Sequence, residues 1–368
     1  MAMRTWKTVS FVNRDTPAAI TTELIDLEEC YKEDEVVVEV YSSALNAIDA
    51  VLHHAAVPSL SSSKPKGYGK DFAGIIIKKG RSVSDNWSIG DKVNGMLVTL
   101  YAKHSTVSNY LILNPDKMES ICHLVTALTT TDNKFNEFDM AAAWPVVFTT
   151  ACGAIFNPGR DWNKIDRVLI IGASTQVANC MVQILKNHLN VHTVVGICNE
   201  RSIEGNKSLG FDHLVSYNGG KTLSNVRDLM QTKLNGKKFN VILDSCGSKD
   251  FLPIMSEFLT PRNTNSYYST VVGDSFLSYT NTSTIQLLKE RLLIEPYRRF
   301  NPFRSYNYYF NVATPTRKNL ELANTLISSG KFQPLIDSVY AFEDFQDAID
   351  KMNTELCKGK IIIQVKRP

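Results

Sequence analysis

An apolar run followed by a single glycine, RVLIIGASTQVA at residues 167–178, decides the fold of this chain. Residues 168–171 contain no polar side chain, which is typical of a strand buried on both faces of a parallel sheet. Apolar residues then recur with helical spacing over residues 177–189. A buried strand, a glycine turn and a helix are the unit from which doubly wound sheets are built.

The same alternation continues after this unit, with strands predicted at 193–197, 214–217 and 239–244. It predicts an α/β fold, a Rossmann doubly wound parallel sheet over residues 141–314. Residues 1–140 instead show short β-branched runs separated by turn residues. Residues 315–368 predict two helices and a closing strand, so we expect them to return to the β-rich domain, with the Rossmann domain inserted.

Composition excludes several classes of protein. The 368 residues carry 40 Lys and Arg against 37 Asp and Glu, a net charge of +3, so we expect no nucleic-acid partner. No apolar run approaches the ~20 residues of a transmembrane span, and the N-terminal residues lack the apolar core of a secretory signal. The seven cysteines include no CxxC pair and are expected to be reduced thiols. These features predict a soluble, cytoplasmic protein of about two domains.

The turn after residue 171 is the candidate nucleotide site. Gly172 is the only glycine of a G-x-G-x-x-G pattern, and the alternative is an ordinary turn capped by Ser174 or Thr175. The second strand ends at Asn199, where an acidic residue would bind the ribose of NAD. With Arg201 nearby, this favours the 2′-phosphate of NADP, and a solvated basic helix start is the alternative.

Short motifs along the chain resemble those of one family. In order they are Asn46 with Asp49, Gly69-Lys-Asp71-Phe-Ala-Gly74, Gly90-Asp-Lys-Val-Asn-Gly95, Ala141-Ala-Ala-Trp-Pro145 with Thr150-Ala151, Leu209-Gly-Phe-Asp212 with Tyr217, Asp244-Ser-Cys-Gly247, Gly330-Lys-Phe with Pro334, and Gly359-Lys360. The set resembles the zinc-free, quinone-oxidoreductase-like branch of the medium-chain dehydrogenase/reductase superfamily, over nearly the whole chain. The resemblance implies a GroES-like β-rich catalytic domain around the Rossmann domain.

The resemblance also implies an activity, the NADPH-dependent and metal-free reduction of a quinone or an α,β-unsaturated carbonyl. Asn46 and Thr150 would flank the nicotinamide, with Cys246 and Val272 along its ribose side. Arg201 and Tyr217 would face the 2′-phosphate. The pyrophosphate would lie against four consecutive residues, Ser174, Thr175, Gln176 and Val177. Asn46 and Lys70-Asp71 occupy the places of the zinc ligands of related enzymes, so no metal is expected.

Reduction leaves negative charge on the substrate oxygen, which needs hydrogen-bond donors and a proton. Asn46 is the candidate donor. His53, His54 and Tyr68 lie in the same part of the chain and are candidate proton donors. For the two histidines, the alternative is a polar helix end with no catalytic role.

Thr175, Gln176 and Ala178 stand where the family has glycines, and a β-carbon there narrows the approach of a pyrophosphate. The second hypothesis is therefore a degenerate member that binds cofactor weakly or not at all and acts as a binding or regulatory protein at a membrane or lipid-droplet surface. A fungal Yim-type subgroup, associated with lipid droplets, is similar in its altered turn.

Two further segments carry expectations. Residues 297–310, rich in aromatic and basic side chains, read as a contact surface for substrate, a second subunit or lipid, or as an edge strand whose aromatics pack inside. The protein is accordingly expected to be a monomer or a homodimer. Residues 118–139, with Cys122 and His123, are expected to form a surface excursion.

Overall fold

The computed structural model describes residues 3–59, 62–125, 134–274, 278–279 and 289–367. They divide into two compact units. The first unit contains the described residues up to Val146, Ser278, Tyr279 and the chain from Pro315 onward; the second contains those from Val147 to Thr314 that remain. The predicted breaks were after residues 140 and 314.

A six-stranded parallel sheet forms the centre of the second unit. Its strand order is β11-β10-β9-β12-β13-β14, and every pair in it is parallel. The strands are β9 Arg167–Ile171, β10 Thr193–Cys198, β11 His213–Ser216, β12 Val241–Asp244, β13 Tyr267–Thr270 and β14 Tyr308–Phe310. This is the Rossmann order, with the crossover between β9 and β12, and it confirms the predicted α/β doubly wound sheet.

Helices of the second unit alternate with these strands. They are α4 Gln176–Asn187, α5 Ile203–Lys207, α6 Thr222–Lys233, α7 Met255–Phe258 and α8 Glu295–Phe300, and α3 Pro145–Phe156 leads into the unit. Strand β9 lies between β10 and β12, and all six residues of β10 are buried. Burial on both faces explains why these strands are continuously apolar rather than alternating.

The first unit contains two largely antiparallel sheets. The smaller has the order β2-β1-β4 and the larger β15-β16-β3-β5-β6-β8, with β7 also paired to β3. The strands are β1 Met3–Phe11, β2 Ala19–Asp26, β3 Val36–Leu45, β4 Lys66–Gly67, β5 Asp71–Lys79, β6 Lys92–Met96, β7 Tyr110–Leu113, β8 Ile121–His123, β15 Ile336–Ala341 and β16 Lys360–Gln364. The helices are α1 Ala47–Ala55, α2 Glu137–Ala142, α9 Arg317–Ser328 and α10 Phe345–Asn353.

The closing strand belongs to the β-rich unit, as the sequence predicted. Strand β16 pairs antiparallel with β3, so residues near both ends of the chain share one sheet. The predicted β-rich domain, to which the last part of the chain returns, is thereby confirmed.

A buried ion pair holds this unit together. Lys360 Nζ lies 2.9 Å from Asp71 Oδ2, and the two side chains are 1% and 0% exposed. The same ammonium donates to Asn46 Oδ1 at 2.5 Å. The other oxygen of Asp71 accepts the backbone N–H of Val146 at 2.8 Å. Four segments that are distant in sequence therefore meet at one pair of charges.

The expectation for Cys122 and His123 as a surface excursion is wrong for Cys122. Strand β8 pairs with β6, and Cys122 is buried within it, while His123 at its end is exposed. His123 stacks on Trp87, with ring centroids 4.6 Å apart. Residues 126–133 of the predicted excursion lie outside the described residues.

One helical stretch among the described residues is long and apolar enough to cross a membrane by length and composition alone. It is Glu137–Phe156, 20 residues with a mean hydropathy of 1.3, and its most apolar window is entirely buried. A buried window is typical of a core helix, so this finding is weak evidence for a span. The sequence had suggested no apolar run of that length.

Replacing Lys360 tests the buried pair. Lys360→Met leaves the Asp71 carboxylate buried without its partner, and we expect a loss of about 3–5 kcal/mol in the free energy of unfolding. Lys366→Met is the matched control, because Lys366 pairs with Glu39 at the surface and such pairs contribute at most about 1 kcal/mol. Urea unfolding followed by tryptophan fluorescence measures both, and equal losses would contradict the assignment.

Candidate functional site

The turn after β9 is fixed by a glycine in the left-handed region. Gly172 has φ +85°, and a β-carbon there would lie 2.8 Å from Ser245 Oγ and 3.1 Å from the Cys246 side chain. Glycine is therefore the only residue that this turn admits. It brings the end of β9 against the residues that follow β12.

Thr175 caps α4 in place of a glycine. Its backbone is extended, φ −73° and ψ 154°, a conformation open to any residue, so the lost glycine costs nothing in backbone strain. Its hydroxyl accepts the N–H of Ala178 at 3.1 Å and donates to Ser245 Oγ at 2.8 Å. Ser245 in turn bonds the carbonyl of Ile171 at 2.9 Å. The capped turn predicted as the alternative is thus present.

The rest of the turn still presents polar groups. The backbone N–H groups of Gln176 and Val177 lie in the first turn of α4, at the positive end of the helix dipole. Ser174 is exposed, and its hydroxyl accepts a hydrogen bond from Asn206 at 2.9 Å. Ala178 is completely buried, so its methyl group packs where the family has a glycine.

The end of β10 carries an amide rather than a carboxylate. Asn199 accepts the N–H of Arg201 at 3.0 Å and donates to the Tyr217 hydroxyl at 3.2 Å. The Arg201 side chain is exposed and forms no ion pair with any described residue, whereas nearby Lys207 pairs with Glu204. An exposed cation and a phenol therefore flank the strand end where a ribose is bound in such folds.

Asp244 fixes the residues after β12. Its buried carboxylate accepts the N–H groups of Cys246, Gly247 and Ser248 and the Tyr268 hydroxyl, the last at 2.7 Å. Cys246 is held half-buried, and burial raises the pKa of its thiol well above the usual value, so it is protonated at neutral pH.

Two other predicted cofactor contacts also lie in the second unit. Val272 is half-buried just after β13, and Thr150 is buried in α3. The structure therefore brings Gly172, Thr175 and Cys246 into one cluster at the strand ends, with Asn199, Arg201 and Tyr217 in a second.

In the first unit, Asn46 is fully occupied. Its amide group donates to Asp71 at 2.9 Å and to the Ala44 carbonyl at 3.3 Å, and its oxygen accepts from Lys360. Donation to a substrate, as predicted from the sequence, would require one of these bonds to break.

His53 and Tyr68 have different surroundings. The Nε2–H of His53 donates to the Thr16 carbonyl at 2.9 Å and its ring packs on Phe11, while burial lowers the pKa of the imidazole. Tyr68 is buried and its hydroxyl has no hydrogen-bond partner among the described residues. Their predicted catalytic roles remain predictions.

Three polar residues were not singled out from the sequence as functional. Asp49 and Lys70 line a pocket with Tyr68, and Ser245 links Gly172 to Thr175. Asp49 and Lys70 lie within the quoted motifs. Their charged side chains beside the predicted donor Asn46 could therefore have marked them as candidates from the sequence. For Ser245 the sequence offers no signal beyond its place after Asp244.

The aromatic tract 297–310 divides in two. Tyr306 and Tyr308 are buried, and Tyr308 belongs to the edge strand β14, as one alternative predicted. Tyr297, Phe300 and Phe303 are exposed, as the other predicted. The difference arises because β14 pairs with β13, whereas the first half is a short surface helix and a loop.

Two family models match the chain. The model described as "Alcohol dehydrogenase GroES-like domain" matches residues 32–110, and that described as "Zinc-binding dehydrogenase" matches residues 209–363. Among the described residues, no group of three or more His, Cys, Asp or Glu side chains is placed to hold a metal ion.

Curated relatives match over almost the full length. Protein YIM1 of Candida glabrata is 41% identical over 98% of this chain and 99% of its own length. Protein YIM1 of Saccharomyces cerevisiae is 41% identical over 98% of each chain.

Solved structures share the fold at low sequence identity. The quinone oxidoreductase from Coxiella burnetii has a TM-score of 0.71 at 17% identity and covers 99% of this chain and 100% of its own. The rspB alcohol dehydrogenase from Escherichia coli, in complex with NADH, has a TM-score of 0.70 at 15% identity, over 98% and 99% of the two chains. These structures share the fold, while the family models and the 41% identity to the YIM1 proteins over nearly the full length show that the chain belongs to the medium-chain dehydrogenase/reductase superfamily, in the fungal Yim-type group.

Proposed function

We propose that the protein is an NADPH-dependent, metal-free oxidoreductase that transfers hydride to a quinone or an α,β-unsaturated carbonyl. The observation that carries the proposal is the group at the end of β10, where Arg201 and Tyr217 flank an amide instead of a carboxylate. A cation without an ion-pair partner attracts the extra phosphate of NADP, and an acidic residue at that place would repel it.

The altered turn is compatible with a dinucleotide. Only Gly172 has a backbone conformation that demands glycine, and it is retained. Thr175 turns its hydroxyl to Ala178 and Ser245, so this side chain is used within the turn. The first turn of α4 keeps the backbone N–H groups and the helix dipole that favour an anion.

Each part of the cofactor has candidate contacts in this chain. Ser174, Gln176 and Val177 would hold the pyrophosphate, and Arg201 and Tyr217 the 2′-phosphate. Thr150, Cys246 and Val272 would line the nicotinamide and its ribose. When bound, the nicotinamide supplies the hydride. The protonated Cys246 thiol places no negative charge beside it.

Titration with NADPH and NADH tests this proposal, with nicotinamide fluorescence or thermal shift as the readout. We expect NADPH to bind more tightly than NADH. Arg201→Ala removes a charge-assisted contact worth about 1.5–3 kcal/mol, which is about tenfold to a hundredfold in the Kd for NADPH, with little change for NADH. Asn199→Asp keeps the cap but adds a negative charge, and it should also reduce the preference for NADPH.

Lys207→Ala is the matched control, because Lys207 is exposed on the same segment and already paired with Glu204. It should leave both affinities unchanged. Absence of binding by either nucleotide would overturn the proposed function. A screen of quinones and enones follows if NADPH binds.

An exposed apolar patch favours a second candidate function, peripheral contact with a lipid surface. The 292–303 patch consists of five side chains between 64% and 96% exposed: Leu292, Leu293, Tyr297, Phe300 and Phe303. Arg299 and Arg304 lie within or beside it. Exposed apolar side chains next to basic ones are typical of protein segments that lie on anionic lipid surfaces.

We propose, as this second candidate, that the protein is cytoplasmic and that the 292–303 patch contacts the phospholipid layer of lipid droplets. Its helix is anchored by an ion pair between Arg298 and the buried Asp274, so the patch is presented on a fixed element. This contact does not depend on cofactor binding.

Flotation with phospholipid-coated triolein droplets tests the patch. The triple variant Tyr297→Ser, Phe300→Ser, Phe303→Ser should lose most droplet binding, since each exposed aromatic contributes its apolar area. A control replaces three scattered exposed residues, Leu24, Leu335 and Leu356, by Ser and should bind normally. Analytical ultracentrifugation of the parent and both variants tests the alternative, a subunit interface. If the parent is a dimer that binds no droplets, and only the patch variant is a monomer, the patch is a subunit interface and the lipid contact is contradicted.

A further inference from the structure

A small half-open pocket lies in the first unit, beside the first turns of α1. It shares no residue with the turn at Gly172 or with the end of β10. The cavity measures about 10 Å³, room for a single water-sized group. Its lining includes Phe11, Asp49, Leu52, Tyr68, Lys70 and Leu100.

Two of the residues that line this pocket each carry a buried polar atom with no hydrogen-bond partner among the described residues. The atoms are Asp49 Oδ1 and the Tyr68 hydroxyl, on side chains 3% and 2% exposed. The other carboxylate oxygen, Asp49 Oδ2, accepts the N–H of Asn46 at 2.8 Å. Leaving a buried polar atom without a partner is costly, so two of them at one cavity point to a ligand.

Lys70 adds a donor to the same pocket. Its ammonium donates to the carbonyls of Thr99 at 2.5 Å and Leu100 at 3.0 Å. An ammonium group has three N–H bonds, so these two acceptors leave it one further hydrogen bond to donate. Together Lys70 and Tyr68 provide two donors, and Asp49 lies close enough for its charge to act on both side chains.

We propose that this pocket receives the reducible oxygen of the substrate, with Tyr68 and Lys70 as hydrogen-bond donors and Asp49 as the store for the proton that the reduction consumes. This inference rests on the proposed function and deepens it. The pocket has room for one oxygen atom and two hydrogen-bond donors among its lining residues, which is what an oxygen that becomes negatively charged requires. Phe11 and Leu52 are apolar parts of the pocket lining, and the exposed Leu100 offers an apolar contact to the ring or alkene carbons.

The proton transfers balance as follows. Once hydride has added to the substrate, the electron pair of the reduced bond rests on the oxygen. That oxygen takes a proton from Lys70: an N–H bond breaks and an O–H bond forms. The neutral amine then takes the proton of the Asp49 carboxyl group, and the resulting carboxylate takes a proton from solvent. Lys70 and Asp49 end in the states in which they began.

The electrostatics of the pocket support this order. Burial raises the pKa of Asp49 to about 7, against the opposing effect of Lys70 and Lys360, while Asp71 raises it further. Burial lowers the pKa of Lys70, which makes its ammonium a better acid. Tyr68 is kept neutral because burial and the Asp49 charge raise the pKa of the phenol. The Asp49 carboxyl group therefore carries its proton below about pH 7 and loses it as the pH rises through that value.

Steady-state reduction of phenanthrenequinone and cyclohexenone with NADPH tests the roles of the three residues. Lys70→Met should lower kcat by about a hundredfold or more and raise KM. Lys70→Arg keeps a cation but gives up no proton, so kcat should fall with KM within a few fold of the parent. In Asp49→Asn the decline of kcat above about pH 7 should disappear. Lys103→Met, at an exposed lysine paired with Glu23, should behave as the parent.

A second measurement needs neither cofactor nor turnover. Nitrophenol carries an oxygen whose ionisation is visible in its absorbance, and we expect it to bind as the phenolate to the parent and to Lys70→Arg. Lys70→Met and Tyr68→Phe should bind it at least tenfold more weakly, with thermal unfolding as the check that each variant folds.

Equal nitrophenolate binding by the parent and Lys70→Met, or none by the parent, would overturn the assignment of the pocket. If nitrophenolate binds as expected while no quinone or enone is reduced, the pocket assignment holds as an oxygen site and the proposed function fails. The two proposals are thereby separated.

Discussion

The buried ion pair between Lys360 and Asp71 is the constraint on which the first unit depends. A charge removed from water is tolerated only when it is paired and hydrogen-bonded, and here the Asn46 amide and the Val146 N–H complete the set. The pair fixes β16 against the rest of the sheet and places the start of α1. Asp49, three residues into that helix, is carried to its pocket by the same arrangement.

In the second unit, two hydroxyl groups hold together segments that are distant in sequence. Thr175 and Ser245 bond each other and join the end of β9 to the residues after β12. A glycine-rich turn achieves close approach by lacking side chains, whereas this turn uses a side chain as the helix cap. The change removes one backbone N–H from the turn and leaves the helix dipole in place. Departure from the family's glycine pattern is thus a change of chemistry in the turn rather than of its backbone path.

Much of the fold was predictable, because continuous apolar strands and helical spacing are local patterns. The β9 strand, the α4 helix and the return of the closing strand followed from such patterns and from the order of short motifs. The placement of Asn199 and Arg201 after β10 and of Tyr217 after β11 was also predictable, since the apolar pattern locates these strand ends. The burial of Cys122 was not, because its strand has three residues and exists only through pairing with β6.

The sequence by itself therefore determined the family, the two kinds of domain and the position of the glycine turn after β9, because each depends on residues close together along the chain. Only the tertiary structure decided which polar side chains have hydrogen-bond partners. Asn46, predicted from the sequence to donate to a substrate, donates its amide hydrogens to Asp71 and Ala44 instead. Asp49 and Tyr68, which line one pocket, each have a buried polar atom with no hydrogen-bond partner among the described residues. The physical reason is that hydrogen-bond satisfaction and burial depend on segments from across the fold, and no pattern along a single strand or helix records them.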